Sequence, residues 1–503
     1  MRTGILPRFL SIVGAKIATL VLSLLITPIL VRLLGSSSYG DYAFVLSLLG
    51  ITMILANAGI FDGTRKYIAE NRDRLNWAEK VFGFYLRTSV LLASLAALVF
   101  VVFSWLGFAE QLFASDFSIY FYLLGGLIIG RQAYSVARGG LMGLGLEGRS
   151  EPLRILQKAL FGVFGISLAY TGYGVAGVLA GHIISTLVVT ILAFSILSDH
   201  LDVGTVLALE SDGVPKKELL SFNLLSVLLI LLTASLYHVD ILLLRPISGS
   251  QKTGYYKAAL VIAEFLWFVP NALQTILLHS TSELWSKDRT KQITSLSSKT
   301  TRYNLSLVLL LAIGLAALAD DFIPLYYGEE FKASINPLLL LLPGVVGFAL
   351  ARPIFAIGQG KGSFRGLIFA TGAAALLNLG LNLLLIPQYG VSGAATATSV
   401  SYGLMIVFHV LAARRIGFNP IEDLRLLQIS VVAVLSAVVI VLIDGLLHSP
   451  LLSLLIVPPV GFIVYASLTV QFGVITPDEI EEVSSRIPPP VAKYVEYILD
   501  IFR

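Results

Sequence analysis

Tyr173-Gly174-Val175-Ala176-Gly177 opens the run YGVAGVLAGHIISTLVVTILAFSIL (Tyr173–Leu197), which over 25 residues carries only His182 as a group that titrates near neutrality. About 20 consecutive apolar residues suffice to cross the hydrocarbon core of a bilayer as a helix. The same opening returns 216 residues later in YGVSGAATATSVSYGLMIVFHVLAA (Tyr389–Ala413), again an apolar run of spanning length. Two features of the molecule follow from this pair: it lives in lipid, and it is built twice.

Composition agrees with the first. Of the 503 residues 56% are hydrophobic and 13% charged, and the mean hydropathy is +0.86. Soluble domains hold roughly 45–50% apolar and about 25% charged residues. That excess of apolar surface excludes soluble enzymes, disordered chains and collagen-like fibres. Scanning outward gives fourteen candidate spans, from Phe9–Leu33 to Leu451–Phe472. None alternates polar with apolar residues as barrel strands would, so helices are expected. The N-terminal run carries no small-residue cleavage site at signal-peptide distance and reads as the first span.

Placing the N-terminus in the cytoplasm puts 25 of the 35 Lys and Arg in inner loops and termini. Only Arg32, Arg245, Lys252 and Lys332 then lie outside, and six sit within spans. The positive-inside rule therefore predicts a multi-pass cell-membrane protein with both termini cytoplasmic. The absence of Cys removes disulfides, thiolate metal sites and a Cys nucleophile. No nucleic-acid partner, cofactor or metal is expected.

The duplication extends beyond the opening pair. Gly40 and Tyr42 recur as Gly254 and Tyr256, Arg138 recurs as Arg352, and Arg32 recurs as Arg245, with shifts of 213 or 214. Six spans separate the copies, an even number, so the repeats are parallel; transporters of this plan bind between their two bundles. The expected architecture is all-α, with two parallel six-helix repeats plus two C-terminal helices. Its parts are an N-terminal bundle over 1–200, a second bundle over 201–415, two added helices over 416–472 and a cytoplasmic tail over 473–503. In the tail, Val491, Tyr494, Val495, Ile498, Leu499 and Phe502 share a helical face suited to a membrane surface.

Some motifs match in letters only. Gly143-x-Gly145-x-x-Gly148 has the dinucleotide spacing but follows a membrane helix, so a tight turn between spans four and five is expected. Gly358-Gln359-Gly360-Lys361 lacks the phosphate-loop spacing. Asn304-Leu305-Ser306 spells a glycosylation sequon at the inner end of a span and should stay unmodified.

Charges inside spans cost about 2.5–3.5 kcal/mol each at mid-helix, so each calls for a reason. Arg87, Lys158 and Arg352 lie near the inner end, where long side chains snorkel. Lys257 is near the outer end and could pair with Asp240 on the adjoining end of span seven. Lys16 is deeper. Arg131 is the leading candidate, since its span also carries Gln132 and Gly125-Gly126. Glu264 is near the middle of span eight with Asn271 two turns on. A water-filled cavity with cationic walls would suit an anionic head group such as diphosphate. Glu264 or Asp240 would carry a coupling ion, H+ or Na+.

The stretch TPILVRLLGSSSYGDYAFVLSLLG (Thr27–Gly50), followed by NAGIFDGTRKYIAE, resembles polysaccharide-type lipid flippases of the multidrug/oligosaccharidyl-lipid/polysaccharide exporter superfamily. In the second half LLIPQYGVSGAATATSVSYG (Leu384–Gly403) is similar to that family's span 11–12 hairpin. The stretches SLYHVDILLLRP and TSELWSK resemble archaeal, particularly haloarchaeal, members associated with N-glycosylation on dolichyl phosphate carriers. The resemblance covers nearly the whole chain. It implies that a lipid-linked oligosaccharide, on a dolichyl or polyprenyl phosphate, moves from the cytoplasmic to the outer leaflet by alternating access, with membrane lipids as the surrounding partner. No bond would be made or broken. It also implies a cationic central cavity with basic residues in spans one and eight, where Lys16 and Lys257 stand; Arg131, Arg138 and Arg352 complete the expected substrate-binding set.

Three rivals stay open at this level. A cation-coupled drug exporter of the same superfamily should have an acidic or aromatic cavity, whereas in-span bases outnumber acids here. A membrane glycan polymerase or ligase would need a sizeable outer loop bearing Arg, His or Glu, and the outer loops are short. A scaffold for glycan assembly would need neither.

Overall fold

A computed structural model describes residues 5–70, 72, 75–208, 214–221 and 224–484. The expected amphipathic face from Val491 to Phe502 lies outside the described residues. Among those described there is no strand. The chain is an all-α multi-pass membrane protein, as hydropathy without alternation requires.

The helices run α1 (Ile5–Asn57), α2 (Ile60–Ala69), α3 (Trp77–Trp105), α4 (Phe108–Leu112), α5 (Phe117–Gly143), α6 (Glu147–Leu168), α7 (Gly174–Ser198), α8 (Val203–Leu207), α9 (Lys216–Ser221) and α10 (Leu224–Ser248). They continue as α11 (Ser250–Glu264), α12 (Phe268–Ser286), α13 (Thr290–Ala317), α14 (Ala319–Tyr327), α15 (Ile335–Gly360), α16 (Phe364–Ile416), α17 (Leu426–Leu446), α18 (Pro450–Gln471) and α19 (Pro477–Ser484).

Among the described residues ten helical stretches are long and apolar enough to cross a membrane, where fourteen separate spans were expected. The difference has a physical origin. Helices α1 and α16 each run 53 residues, about 80 Å at 1.5 Å per residue, far beyond a hydrocarbon core of about 30 Å. Both continue through a glycine in a non-helical conformation, Gly35 (φ 68°, ψ 173°) and Gly390 (φ 54°, ψ −124°), instead of through a loop. Helix α5 is long enough to span, but Arg131, Gln132 and Arg138 lower its hydropathy and it is not among the ten.

Packing divides the chain into two compact units, Met1–Gly254 and Tyr255–Arg503. The expected boundary was 200/201. Helix α10 shifts it, because α10 packs along α1 and so stays with the first unit.

The duplication is visible in backbone detail. Gly174 (φ 51°, ψ −133°) matches Gly390, a conformation open to glycine and costly for other L-residues. A Cβ at Gly177 would strike the Leu168 carbonyl, and one at Gly393 the Leu385 carbonyl. In the first unit Gly40 and Gly254 cross so closely that a Cβ on either would strike the carbonyl of Ser250 or Ser36 respectively. These glycines recur because two backbones touch there.

In the first unit α5 is central, packed against α2, α3 and α7, while α6 packs on α7 and α1. A core of Tyr67, Trp77, Phe82, Leu141, Leu153 and Leu197 packs α2, α3, α5 and α7 together. Arg87 does not snorkel to lipid: its Nη1 donates to the carbonyls of Val206 (3.2 Å) and Ala208 (2.8 Å), capping α8 against α3. The Gly143–Gly148 motif is the α5–α6 turn, with Gly145 at φ 75°.

In the second unit α15 packs against α12, α13 and α16, and the α17–α18 pair leans on α13 through Leu305, Ile429, Val432 and Tyr465. Pro353 has no N–H to give the Ala349 carbonyl, and the Asn304 side-chain amide donates to it instead at 2.8 Å. That use buries Asn304 to 1% exposure and removes the sequon from any modifying enzyme. Arg302, fully buried, donates to the carboxylates of Asp423 before α17 and Glu479 in α19. Burial works to raise the Glu479 carboxyl, but the Thr476 backbone N–H and Arg302 outweigh it and hold the group below the usual carboxylate range.

Candidate functional site: a cationic cavity in the first unit

Helical periodicity builds the site. On α5, Arg131, Tyr134, Ser135 and Arg138 follow i, i+3, i+4, i+7, one face of a helix. On α6, Arg154, Gln157, Lys158 and Phe161 follow the same spacing. The tight α5–α6 turn folds the two helices into a hairpin, and both stripes line one cavity of about 590 Å3. Thr19, Met53 and Phe61 close it from α1 and α2, and His182 from α7.

The cavity has two tiers, seven residues apart on α5 and four on α6, or about 10 Å and about 6 Å at 1.5 Å per residue. Nearer the α5–α6 turn, Arg138 and Arg154 share one carboxylate. Arg138 Nη2 donates to Glu151 Oε1 at 2.6 Å and Arg154 Nη1 to Oε2 at 2.9 Å, while the Glu151 side chain is 1% exposed. Arg138 also lies 5.0 Å over the Phe61 ring. Even so, Arg138 Nε and the buried Tyr134 Oη have no hydrogen-bond partner among the described residues.

Further from the turn stand Arg131 and Lys158. Neither has a carboxylate within ion-pair distance among the described residues. Lys158 Nζ sits 5.3 Å over the Phe161 ring, a contact that steadies a cation without neutralising it. Phe161 stacks on His182 at 3.7 Å and 14°, and His182 Nε2 shares a 2.8 Å hydrogen bond with the Tyr42 hydroxyl. Asn57 donates to Ser135 Oγ at 2.7 Å and Gln132 Oε1 at 3.3 Å, leaving the Gln132 amide N–H groups without a partner. With four cations and one buried carboxylate among these stripe residues, the cavity keeps an excess of positive charge. Its unmet hydrogen-bonding atoms are mainly donors, the complement of an oxyanion.

Of the residues expected from sequence, Arg131 and Arg138 meet in this cavity. Lys158, read as snorkelling, belongs with them, as do Arg154, His182 and Tyr42. The signal was present as two matched heptad stripes on consecutive helices; weighing each charge singly hid it. Lys16 is exposed on α1 and is not among the lining residues, although Thr19 one turn on is. Asp240 is fully buried on α10 in the first unit.

Lys257, Glu264 and Arg352 belong to the second unit. Arg352 Nε donates to Asn271 Oδ1 at 3.1 Å, and its guanidinium lies 4.7 Å over Phe348. Glu264 ends α11 where the span turns through a 3-10 stretch, Phe265–Trp267, before α12 resumes. Broken spans leave carbonyls with unspent acceptors and are where transporters hold small cations. The second unit also holds an apolar groove of about 640 Å3, walled by Phe265, Leu311, Leu315, Phe322, Val457 and Phe462 among others.

The fold and the site define an all-α, multi-pass membrane protein of the flippase and exporter architecture. The solved structure "Lipid II flippase MurJ, inward closed conformation" matches with a TM-score of 0.75 at 16% identity, covering 92% of this chain and 98% of that one. The family model described as "Polysaccharide biosynthesis protein" matches residues 29–336, and the chain belongs to that family. Two relatives come from Haloferax volcanii. "Probable low-salt glycan biosynthesis flippase Agl15" is 23% identical over 386 residues, covering 75% of this chain and 77% of its own length. "Probable flippase AglR" is 26% identical over 416 residues, with 80% and 81% covered.

Proposed function

We propose that this protein moves a lipid-linked oligosaccharide from the cytoplasmic to the outer leaflet of the cell membrane. The observation that carries the reading is the first-unit cavity, whose Arg131 and Lys158 have no carboxylate among the described residues to neutralise them. Holding unpaired cations away from water costs several kcal/mol, a cost that is offset when an anion binds. A phosphate or diphosphate bridging lipid and glycan supplies that anion, and Arg131 and Lys158 hold it by charge and hydrogen bonds. The lipid chain, too apolar for this cavity, stays in the bilayer. Membrane lipids are the remaining partner.

The transport needs no covalent step; the cavity's groups bind and orient. A coupling ion, H+ or Na+, would act at Glu264, whose carboxylate sits at the break in its span, or at Asp240. With the termini cytoplasmic, the side that the positive-inside rule favours, the α5–α6 turn is also cytoplasmic and the cavity loads from inside.

The test is deletion of the gene with quantification of lipid-linked and surface glycans. Completed lipid-linked oligosaccharide should accumulate while surface glycan falls, and Arg131→Ala should fail to restore export at normal membrane abundance. Unchanged glycans with altered drug susceptibility would replace this reading by drug export.

A further inference from the structure

The two tiers of the first-unit cavity differ in how their charges are met, and the difference has a direction. At the tier near the α5–α6 turn, Arg138 and Arg154 share the buried carboxylate of Glu151. That tier keeps about one net positive charge and two unmet donors, Arg138 Nε and Tyr134 Oη. At the tier further from the turn, Arg131 and Lys158 keep both charges, with no carboxylate within ion-pair distance among the described residues. With cytoplasmic loading as proposed above, an anion reaches the weaker tier before the stronger one. The tiers are about 10 Å apart along α5 and about 6 Å along α6.

We propose that the cavity holds two oxyanion subsites in series. Arg138, Arg154 and Tyr134 form a capture subsite, and Arg131 with Lys158 forms the holding subsite to which the phosphate of the lipid-linked head is passed. Glu151 is the exchangeable partner. The phosphate displaces it from the arginines on arrival, and its return repels the phosphate inward. Without Glu151 the outer tier would carry as much charge as the inner one and would retain the ion. This inference rests on the reading of the cavity as a phosphate-binding site.

The experiment uses the full chain, purified in lipid nanodiscs, with inorganic pyrophosphate as probe. Calorimetry gives stoichiometry. Stopped-flow fluorescence gives rates, from a single Leu144→Cys label at the turn, which is unique because the chain has no Cys. The unaltered protein should bind one ion. Arg154→Gln, which leaves Arg138 paired with Glu151, should slow association and dissociation together by about tenfold, with Kd within about twofold, since the two rates cancel. Arg131→Gln should weaken Kd roughly 30-fold. Glu151→Gln should bind two ions, the second at the outer tier.

The series is overturned if Arg154→Gln weakens Kd as much as Arg131→Gln, which makes the tiers one site. It is also overturned if the unaltered protein binds two ions at once, or if Glu151→Gln still binds one with unchanged rates. Farnesyl diphosphate should displace pyrophosphate; failure to do so makes the ligand a free ion and ends the assignment to a lipid-borne phosphate. No binding of pyrophosphate to the unaltered protein would overturn the phosphate reading of the cavity itself, a result distinct from the others.

Discussion

The two repeats carry the same backbone marks but opposite interiors. The α5 stripe Arg131, Tyr134, Ser135, Arg138 becomes Val345, Phe348, Ala349, Arg352 on α15, with a shift of 214. The α6 stripe Arg154, Gln157, Lys158, Phe161 becomes Ala370, Ala373, Ala374, Leu377 on α16, with a shift of 216. Met53, which lines the cavity, becomes Trp267. Trp267 packs against Phe348 with ring centroids 4.3 Å apart and planes tilted by 31°, and donates its Nε1–H to the Val345 carbonyl at 3.1 Å, in the place where the first unit keeps open space. Even the hydrogen bond between Tyr42 and His182 has its counterpart, between Tyr256 and Thr398 at 3.1 Å. Duplication preserved the helix crossings, which depend on glycine. The charge then diverged, because stripe positions facing a cavity can change without disturbing those crossings.

The units also spend their buried charges differently. In the second, Arg302 is met by Asp423 and Glu479, and Arg352 by Asn271. In the first, Arg131 has no such partner among the described residues. The sharpest way to break this contrast is to remove both kinds of arginine. Arg302→Ala leaves Asp423 and Glu479 with Arg425 alone and should cost about 1.5–3 kcal/mol of stability, seen as a lower Tm in detergent. Arg131→Ala should leave Tm unchanged or raise it while abolishing export. Equal loss of stability in both would show that Arg131 is structural.

Grafting one repeat onto the other gives the next effect. Met53→Trp places the second unit's filler in the first unit's cavity and should weaken pyrophosphate binding about tenfold, about 1.4 kcal/mol; undiminished affinity would show that the space around Met53 is not used. Glu479 gives a pH test. Its carboxyl is held below the usual range in the folded protein, so its contribution is present above the unfolded value of about 4.3 and is lost as pH falls through the lower folded value. The protection of α19 against hydrogen exchange should therefore fall as pH drops below about 4.3, and Glu479→Gln should remove that acid dependence. The smallest effect is at the kinks: Gly174→Ala and Gly390→Ala should each cost about 1–2 kcal/mol, and by similar amounts, if the two kinks are equivalent.

Much of this molecule was legible in the order of its residues. Hydropathy alone placed it in lipid as helices, since nothing else hides that much apolar surface and satisfies its backbone. The near-constant shift from Tyr173-Gly174 to Tyr389-Gly390 revealed the duplication, because backbone crossings admit few residues besides glycine. Arg131 and Arg138 stood out because charge in a span is costly. Tertiary structure decided the rest. Arg87 and Lys158 sit at similar depths, yet one caps α8 and the other faces the cavity, a distinction set by which neighbour covers each helix face. The boundary between units followed α10 onto α1, a packing choice that hydropathy does not encode. Which arginines keep their charge for a ligand depended on where Glu151, Asp423 and Glu479 fold back. Those carboxylates lie 13, 121 and 177 positions from the arginines they neutralise, so sequence shows the charges but not their pairing.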